Sequence, residues 1–187
     1  MPAATPVTHR RIIDCATVEG LLRLAAVVEP GDVLFGMDGP KPIRLYQSRN
    51  GYPQRGASAT HVAIAGETGS ILHAVVGGTC IEGPLSYFLG REVAVGRWDM
   101  PDKPRRTAEL LREARAMVGK PYEMGRLFRS LLKTEPGRAP FICSTFVDAA
   151  FMMAFDAATP LHRDDLPLRT PFICPAHLFI QPGLRDP

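Results

Sequence analysis

An α+β fold with an antiparallel sheet packed against helices follows from three features of this 187-residue sequence. Residues 17–29 carry apolar side chains at helical spacing before any strand signal appears. Between residues 32 and 98 the pattern changes to short apolar and β-branched runs separated by glycine-bearing turns. After residue 104 helical spacing returns. Strands gathered between helices, rather than alternating with them, pair with their chain neighbours, which makes an antiparallel sheet. A chain of this length holds one core, so residues 1–187 read as a single domain.

The elements follow in order. Residues 1–16 are polar and proline-bearing and read as a loose arm. Thr17 can cap the first helix, whose face is Leu21, Leu22, Leu24, Ala25 and Val28, and Pro30-Gly31 ends it. Val33, Leu34 and Phe35 make residues 32–36 a buried strand. Residues 38–58 read as a loop with a helical turn or two at 43–47, and its Arg49, Tyr52 and Arg55 are candidates for reading a substrate. Residues 60–65 and 70–76 form a hairpin around 66–69, followed by a short strand at 79–81, a helical turn at 84–89 and a strand at 92–98. A linker at 101–104 leads to a helix over 106–118, where Ala108, Leu111, Ala114 and Val118 share a face and Gly119 terminates it. Residues 122–132 read as a further helix, and another runs over 141–155. Residues 159–187 are a proline-rich tail with one apolar run at 176–180.

Composition excludes several classes. An apolar fraction of 45% and a charged fraction of 22% are those of a soluble globular protein. The net charge of +3 is spread out, with only short basic runs at Arg10-Arg11 and 103–106, so no nucleic-acid stripe is present. No apolar run approaches the roughly 20 residues that span a bilayer. Residues 1–11 lack the apolar core of a secretory signal. Cysteines 15, 80, 143 and 174 show neither zinc-ribbon spacing nor a dense disulfide framework. These features point to a reducing, cytoplasmic setting, with signal-independent export left open.

The stretch richest in chemistry is 141–155. Cys143 falls where loop becomes helix, facing unpaired N–H groups and the positive end of the helix dipole, which stabilise a thiolate and predict a pKa below about 8.5. The plainer reading is a small buried residue. His61 and His73 lie on the two strands of the hairpin, at positions that become cross-strand or diagonal neighbours. His61 points away from Val62 and Ile64, to the side of Ala63 and Ala65. Two imidazoles facing a cysteine at a helix start form a thiol-triad layout, in which one takes the thiol proton and the other orients it. A single histidine in a half-buried strand is more often a satisfied structural residue, and two at this spacing make the odds even. Cys143, His61 and His73 can also be read as three zinc ligands with an open fourth position, a reading weakened by the absence of a further carboxylate or cysteine at ligand spacing. No metal or other cofactor is expected. Asp148 reads as a surface charge, Cys15, Cys80 and Cys174 as packing residues, and His162 and His177 as solvent-facing or cap-like residues in the tail.

Together these stretches resemble a known family. Thr60-His61-Val62-Ala63-Ile64 and Gly69-Ser70-Ile71-Leu72-His73-Ala74 are similar to the histidine-bearing hairpin of NlpC/P60 cysteine peptidases. Gly119-Lys120-Pro121-Tyr122 resembles their Gly-x-Pro-Tyr segment, and Phe141-Ile142-Cys143-Ser144-Thr145-Phe146-Val147 their nucleophile helix. The histidines precede the cysteine, so the resemblance is to the circularly permuted branch, which includes YiiX/YaeF-like proteins and the lecithin:retinol acyltransferase group. Pro30-Gly31-Asp32-Val33-Leu34-Phe35 is similar to the strand that opens that domain. The resemblance implies a permuted papain-like fold and a cysteine-dependent amide hydrolase working through an acyl-enzyme. It implies Cys143 as nucleophile, His61 as base and later acid, His73 as the orienting member and Tyr122 as a helper at the oxyanion. The implied substrate is a peptide, a lipidated amino acid or a cell-wall-derived amide. Met124 and Ile142 depart from the family's tryptophan and its acidic or tyrosyl residue. Ser144-Thr145 after the cysteine departs from the acyltransferase Asn-Cys-Glu-His-Phe signature, which favours hydrolysis over lipid acyl transfer. Lipid acyl transfer and an inactive binding module on the same scaffold are the alternatives.

Overall fold

The computed structural model describes residues 10–75, 79–120, 143–155, 161 and 173–187. Its centre is an antiparallel sheet of β1 (Ile12–Asp14), β2 (Val33–Met37), β3 (Ala59–Ala65), β4 (Ser70–Ala74), β5 (Cys80–Pro84), β6 (Glu92–Trp98) and β7 (Leu184–Arg185). The spatial order is β1-β6-β2-β3-β4-β5, with β7 on the far end of β6. The helices are α1 (Val18–Val27), α2 (Lys41–Arg49), α3 (Gln54–Ser58), α4 (Lys103–Ala116), α5 (Cys143–Phe155) and α6 (Pro175–Phe179), with a single 3-10 turn at Leu85–Phe88. The α+β class with an antiparallel sheet is therefore as the sequence predicts.

Period-2 alternation divides the core between the two faces of the sheet. Val33, Phe35, Val62, Ile64, Leu72 and Ala94 face α4, α5 and α6. Leu34, Ala63, Ala65, Ile71, Val93 and Val95 face Leu24 of α1 and the side chains of Leu85 and Phe88. The central strand β2 is buried at every position because both faces are covered. Its run of apolar residues reflects that double burial. Thr17 caps α1 by accepting the Gly20 N–H at 3.2 Å.

Both chain ends depart from expectation. Residues 10–16 are tied into the fold rather than forming an arm: β1 pairs with β6, and Arg10 and Cys15 are buried. The Arg10 guanidinium donates to the carbonyls of Phe179 (2.7 Å), Leu184 (2.9 Å) and Gln181 (3.0 Å) and lies over the rings of Phe35 and Phe179. Burial lowers its pKa to about 10, opposed by Asp186, so it stays charged at neutral pH. A buried cation satisfied by three carbonyls clamps the last residues of the chain to its beginning. Residues 173–187 are accordingly no tail. Pro175, Ala176, Leu178 and Phe179 of α6 are buried, and β7 extends the sheet.

The 38–58 stretch also contains more structure than its composition suggests. Gln47 is fully buried, donating to the carbonyls of Ala57 and Ala59 (2.8 Å each) and accepting the Ala176 N–H (2.9 Å). One amide side chain thus ties α2, α3 and α6 together. Tyr52, expected on a substrate-reading loop, is a core residue at 4% exposure. Asp148 and His177, expected at the surface, are buried at 7% and 1%. His177 bonds Gln181 at 2.9 Å, one turn further on. Helical spacing around Phe146 and Phe151 carries Asp148 inward, because α5 is covered on more than one side. The helix expected at 122–132 lies outside the described residues.

Candidate functional site: an imidazole pair beside a helix-start cysteine

A bulge in β3 positions the first histidine. The β2–β3 register runs Val33↔Ile64 to Gly36↔His61 and then passes to Met37↔Ala59, leaving Thr60 as the extra residue. Its hydroxyl accepts the Gly39 N–H at 3.0 Å and holds the kink. Gly36 opposite makes room: a Cβ there would come within 3.3 Å of the Phe88 ring and 3.4 Å of His61 Cβ. His61 shares the face of Ala63 and Ala65, as its alternation with Val62 requires. His73 stands on the adjacent strand beside Ile71, held by pairing with Ile81 of β5.

The rings meet. His61 Nε2 lies 2.9 Å from His73 Nδ1, with the ring planes at 83°. One of those nitrogens donates and the other accepts. When His61 Nε2 carries the hydrogen, His61 Nδ1 is left as a bare acceptor. Tyr87 closes the pair from the 3-10 turn, its ring centroid 5.2 Å from His61 and 4.4 Å from His73. The Arg91 guanidinium lies 5.0 Å from the Tyr87 ring centre.

Burial holds both imidazoles neutral. It pushes His61 down to about 3, helped by the like charge of His73 and by Arg91, and pushes His73 down to about 4, helped by Arg91. Acid sensitivity follows. The unfolded chain binds protons at these groups near pH 6.5, while the folded chain resists them until about pH 3–4, so stability is lost as pH falls between those limits. Each imidazole contributes a slope of up to about 1.4 kcal/mol per pH unit. Urea unfolding between pH 7 and 5 is expected to show the midpoint falling, and the double variant His61→Gln/His73→Gln to flatten that fall.

Cys143 is the first residue of α5. The next residue pins the helix start, Ser144 Oγ donating to the Ile173 carbonyl at 2.7 Å. The backbone N–H groups of Val62, Ser144 and Cys143 itself lie close enough to the sulfur to favour its thiolate. The last β3–β4 rung is Ile64↔Leu72, so the Val62 amide lies beyond the ladder, next in sequence to His61. The strand end thus supplies a donor that the sheet does not consume. Against expectation, the thiol pKa is raised, to about 11. Burial is the largest cause and outweighs the three N–H groups that favour the thiolate. The residue is 7% exposed. Helix-start reasoning counted the donors and omitted the desolvation of a site packed under a sheet.

The sulfur comes from the α5 side and the imidazoles from the other face of the sheet, and they approach one another where the β3–β4 ladder ends, the sulfur at Val62 and the first imidazole at His61. Among the described residues no hydrogen bond joins them. Tyr87 stands on the imidazole side. Its ring touches both imidazoles, and its phenol pKa is raised by burial and, after an opposing effect of Arg91, by the Cys143 charge. Tyr122 lies outside the described residues. Tyr87 and Arg91 were given no part by sequence reasoning. The available signal was an aromatic in the single turn at 84–89, directly after the strand that pairs with the His73 strand.

The fold is that of a known structure. The chain is similar to the metalloprotein YiiX from Escherichia coli O157:H7, with a TM-score of 0.56 and 16% identity over 85% of this chain and 96% of that one. The likeness is of fold, and it meets the expectation of a YiiX-like architecture. No family model matches the chain, and no curated protein sequence is similar to it. Among the described residues no helix is long and apolar enough to cross a membrane.

Proposed function

We propose that the protein is a cysteine-dependent amide hydrolase of permuted papain-like, NlpC/P60-type architecture, acting through Cys143, His61 and His73. The observation that carries the reading is the 2.9 Å contact between His61 Nε2 and His73 Nδ1, with His61 next in sequence to Val62, whose amide favours the Cys143 thiolate. With His61 Nε2 engaged by His73, Nδ1 is the nitrogen left to take a proton. Thiol and imidazole both rest neutral, so proton transfer accompanies attack instead of preceding it. The Cys143 S–H proton passes to His61 Nδ1 as sulfur bonds to the carbonyl carbon, whose π electrons move to oxygen. Collapse expels the amine with that proton, leaving a thioester, and water then releases the acid. A peptide, a lipidated amino acid or a cell-wall-derived amide suits this chemistry. Transfer of the acyl group to an acceptor other than water is the same reaction with a different second step.

YiiX is described as a metalloprotein. Among the described residues no group of three or more His, Cys, Asp or Glu side chains is placed to hold a metal ion. His61 and His73 spend facing nitrogens on each other, and the nearby charge is the cation of Arg91. These donors do not fit a metal site. The raised thiol pKa favours a second reading, a binding module with an unreactive cysteine.

Trapping separates these readings. After a short incubation with p-nitrophenyl acetate and acid quench, one acetyl group is expected on the peptide containing Cys143. Acetylation no faster than that of a free thiol at the same pH would establish the binding module instead.

A further inference from the structure

His61 is the first residue after the bulge in β3, and a bulged residue has no ladder partner to hold it. Here a side chain takes over that task. Thr60 Oγ1 accepts the Gly39 N–H at 3.0 Å and donates to the Gly36 carbonyl at 3.4 Å. Gly36 is the residue paired with His61 across the β2–β3 ladder, so the hydroxyl ties together the backbone on both sides of the imidazole's root. Thr60 is only 6% exposed, where a hydroxyl must be partnered and a partnered one fixes geometry. The facing turn is shaped to meet it. Asp38 adopts a left-handed φ of 55° and donates its N–H to the Ser58 carbonyl at 3.0 Å. The next residue, Gly39, then presents its own N–H, and a Cβ at that position would collide with Thr60 Oγ1. The imidazole contact one residue away is 2.9 Å long, and such a bond weakens steeply as its angle drifts.

We propose that Thr60 is a positioning residue for the His61 base, its hydroxyl replacing the ladder rung that the bulge removes and so holding His61 Nε2 on His73 Nδ1. The proposal rests on the hydrolase reading above. Thr60 takes no part in the bond changes and gives up no proton. It acts through the placement of His61 and of the next residue, Val62, whose amide favours the Cys143 thiolate. Without the hydroxyl the Gly39 N–H and the Gly36 carbonyl lose their shared partner, and the bulge loosens. His61 then leaves His73 for part of the time, its tautomer is no longer fixed, and Nδ1 is a bare acceptor less often.

Thr60→Val tests it, because the side chain keeps its shape and loses both hydrogen bonds. Thr60→Ser returns the hydroxyl without the methyl. Two readouts are taken on protein labelled with ¹⁵N-histidine. Long-range ¹H–¹⁵N spectra show which ring nitrogen of His61 carries hydrogen, and iodoacetamide alkylation of Cys143 against pH reports the base. In Thr60→Val, His61 is expected to pass from the single Nε2–H form to a mixture of tautomers. Its alkylation at neutral pH is expected to slow by about 10-fold or more, short of the roughly 10²- to 10⁴-fold that a general base supplies, with a profile that climbs with hydroxide. Thr60→Ser is expected to keep the wild-type tautomer and a rate within about threefold of wild type, since the same base stays in place. Gly39→Ala disturbs the same hydrogen bond from the loop side and decides the matter should Thr60→Val not fold. It is expected to slow alkylation in the same way, and the double variant no further than Thr60→Val alone, because both changes remove one interaction. Wild-type tautomer and wild-type alkylation in Thr60→Val overturn the proposal, whatever its melting temperature. So does either readout moving without the other, and so does Thr60→Ser falling as far as Thr60→Val, which assigns the effect to the methyl. The hydrolase reading is judged separately, on wild-type protein: if p-nitrophenyl acetate acetylates Cys143 no faster than a free thiol, that reading fails and Thr60 has no base to position, whereas failure in the variants leaves it standing.

Discussion

Cys143→Ala is expected to abolish the p-nitrophenol burst, leaving the background rate, while the protein still folds. The loss is complete because the thioester has nowhere else to form. Cys15, Cys80 and Cys174 are buried, and burial pushes the Cys80 thiol up to about 11. The fold tolerates the change because truncation removes one sulfur at the edge of a core that Phe146, Val147, Ala150 and Phe151 maintain, a cost of about 1 kcal/mol on the scale of small core truncations. Stopped-flow release of p-nitrophenol, with a thermal melt on the same samples, measures both. A full burst in the Ala variant would remove Cys143 from the chemistry. Cys143→Ser sharpens the result. It keeps an acceptor for the Val62 amide but presents a hydroxyl that a neutral imidazole deprotonates far less readily, so its burst is expected to be lost as well.

The second large effect is at His61. With a thiol held near pKa 11, almost no thiolate exists at neutral pH, so the rate depends on a base that removes the proton during attack. His61→Gln keeps a side chain able to bond His73 but supplies no base, and acetylation is expected to slow by about 10²- to 10⁴-fold. Iodoacetamide alkylation should slow in parallel, and the variant's pH profile should rise with hydroxide as a simple buried thiol does. His73→Gln is expected to do less, since it removes the group that fixes the His61 tautomer and leaves the base in place. Equal, near-wild-type alkylation in both variants would show that the imidazoles do not serve the sulfur.

Much of this architecture was legible locally. The hairpin carrying His61 and His73 follows from two apolar runs and a glycine turn, and their contact from period-2 alternation and turn position. Strand β6 at Glu92–Trp98 was readable from its β-branched residues, and the start of α5 near Cys143 from the preceding loop and the apolar spacing that follows. Such features depend on neighbours a few residues apart, which is the range over which sequence pattern carries structure.

What sequence pattern did not determine lies in contacts between distant segments. Arg10 is a polar residue near the chain start until α6 and β7 surround it with carbonyls some 170 positions away. Asp148 and His177 look like surface residues until α5 and α6 are covered. The thiol at Cys143 illustrates the same division most sharply. Its place at a helix start is local and argues for a thiolate, but its pKa is set mainly by burial in a core built from distant segments. By itself the sequence determined which residues are candidates for the chemistry and which elements hold them. Only the tertiary structure decided their charge states and brought Tyr87 to the imidazoles, because desolvation and side-chain contact are properties of the packed volume and not of the order of residues along the chain.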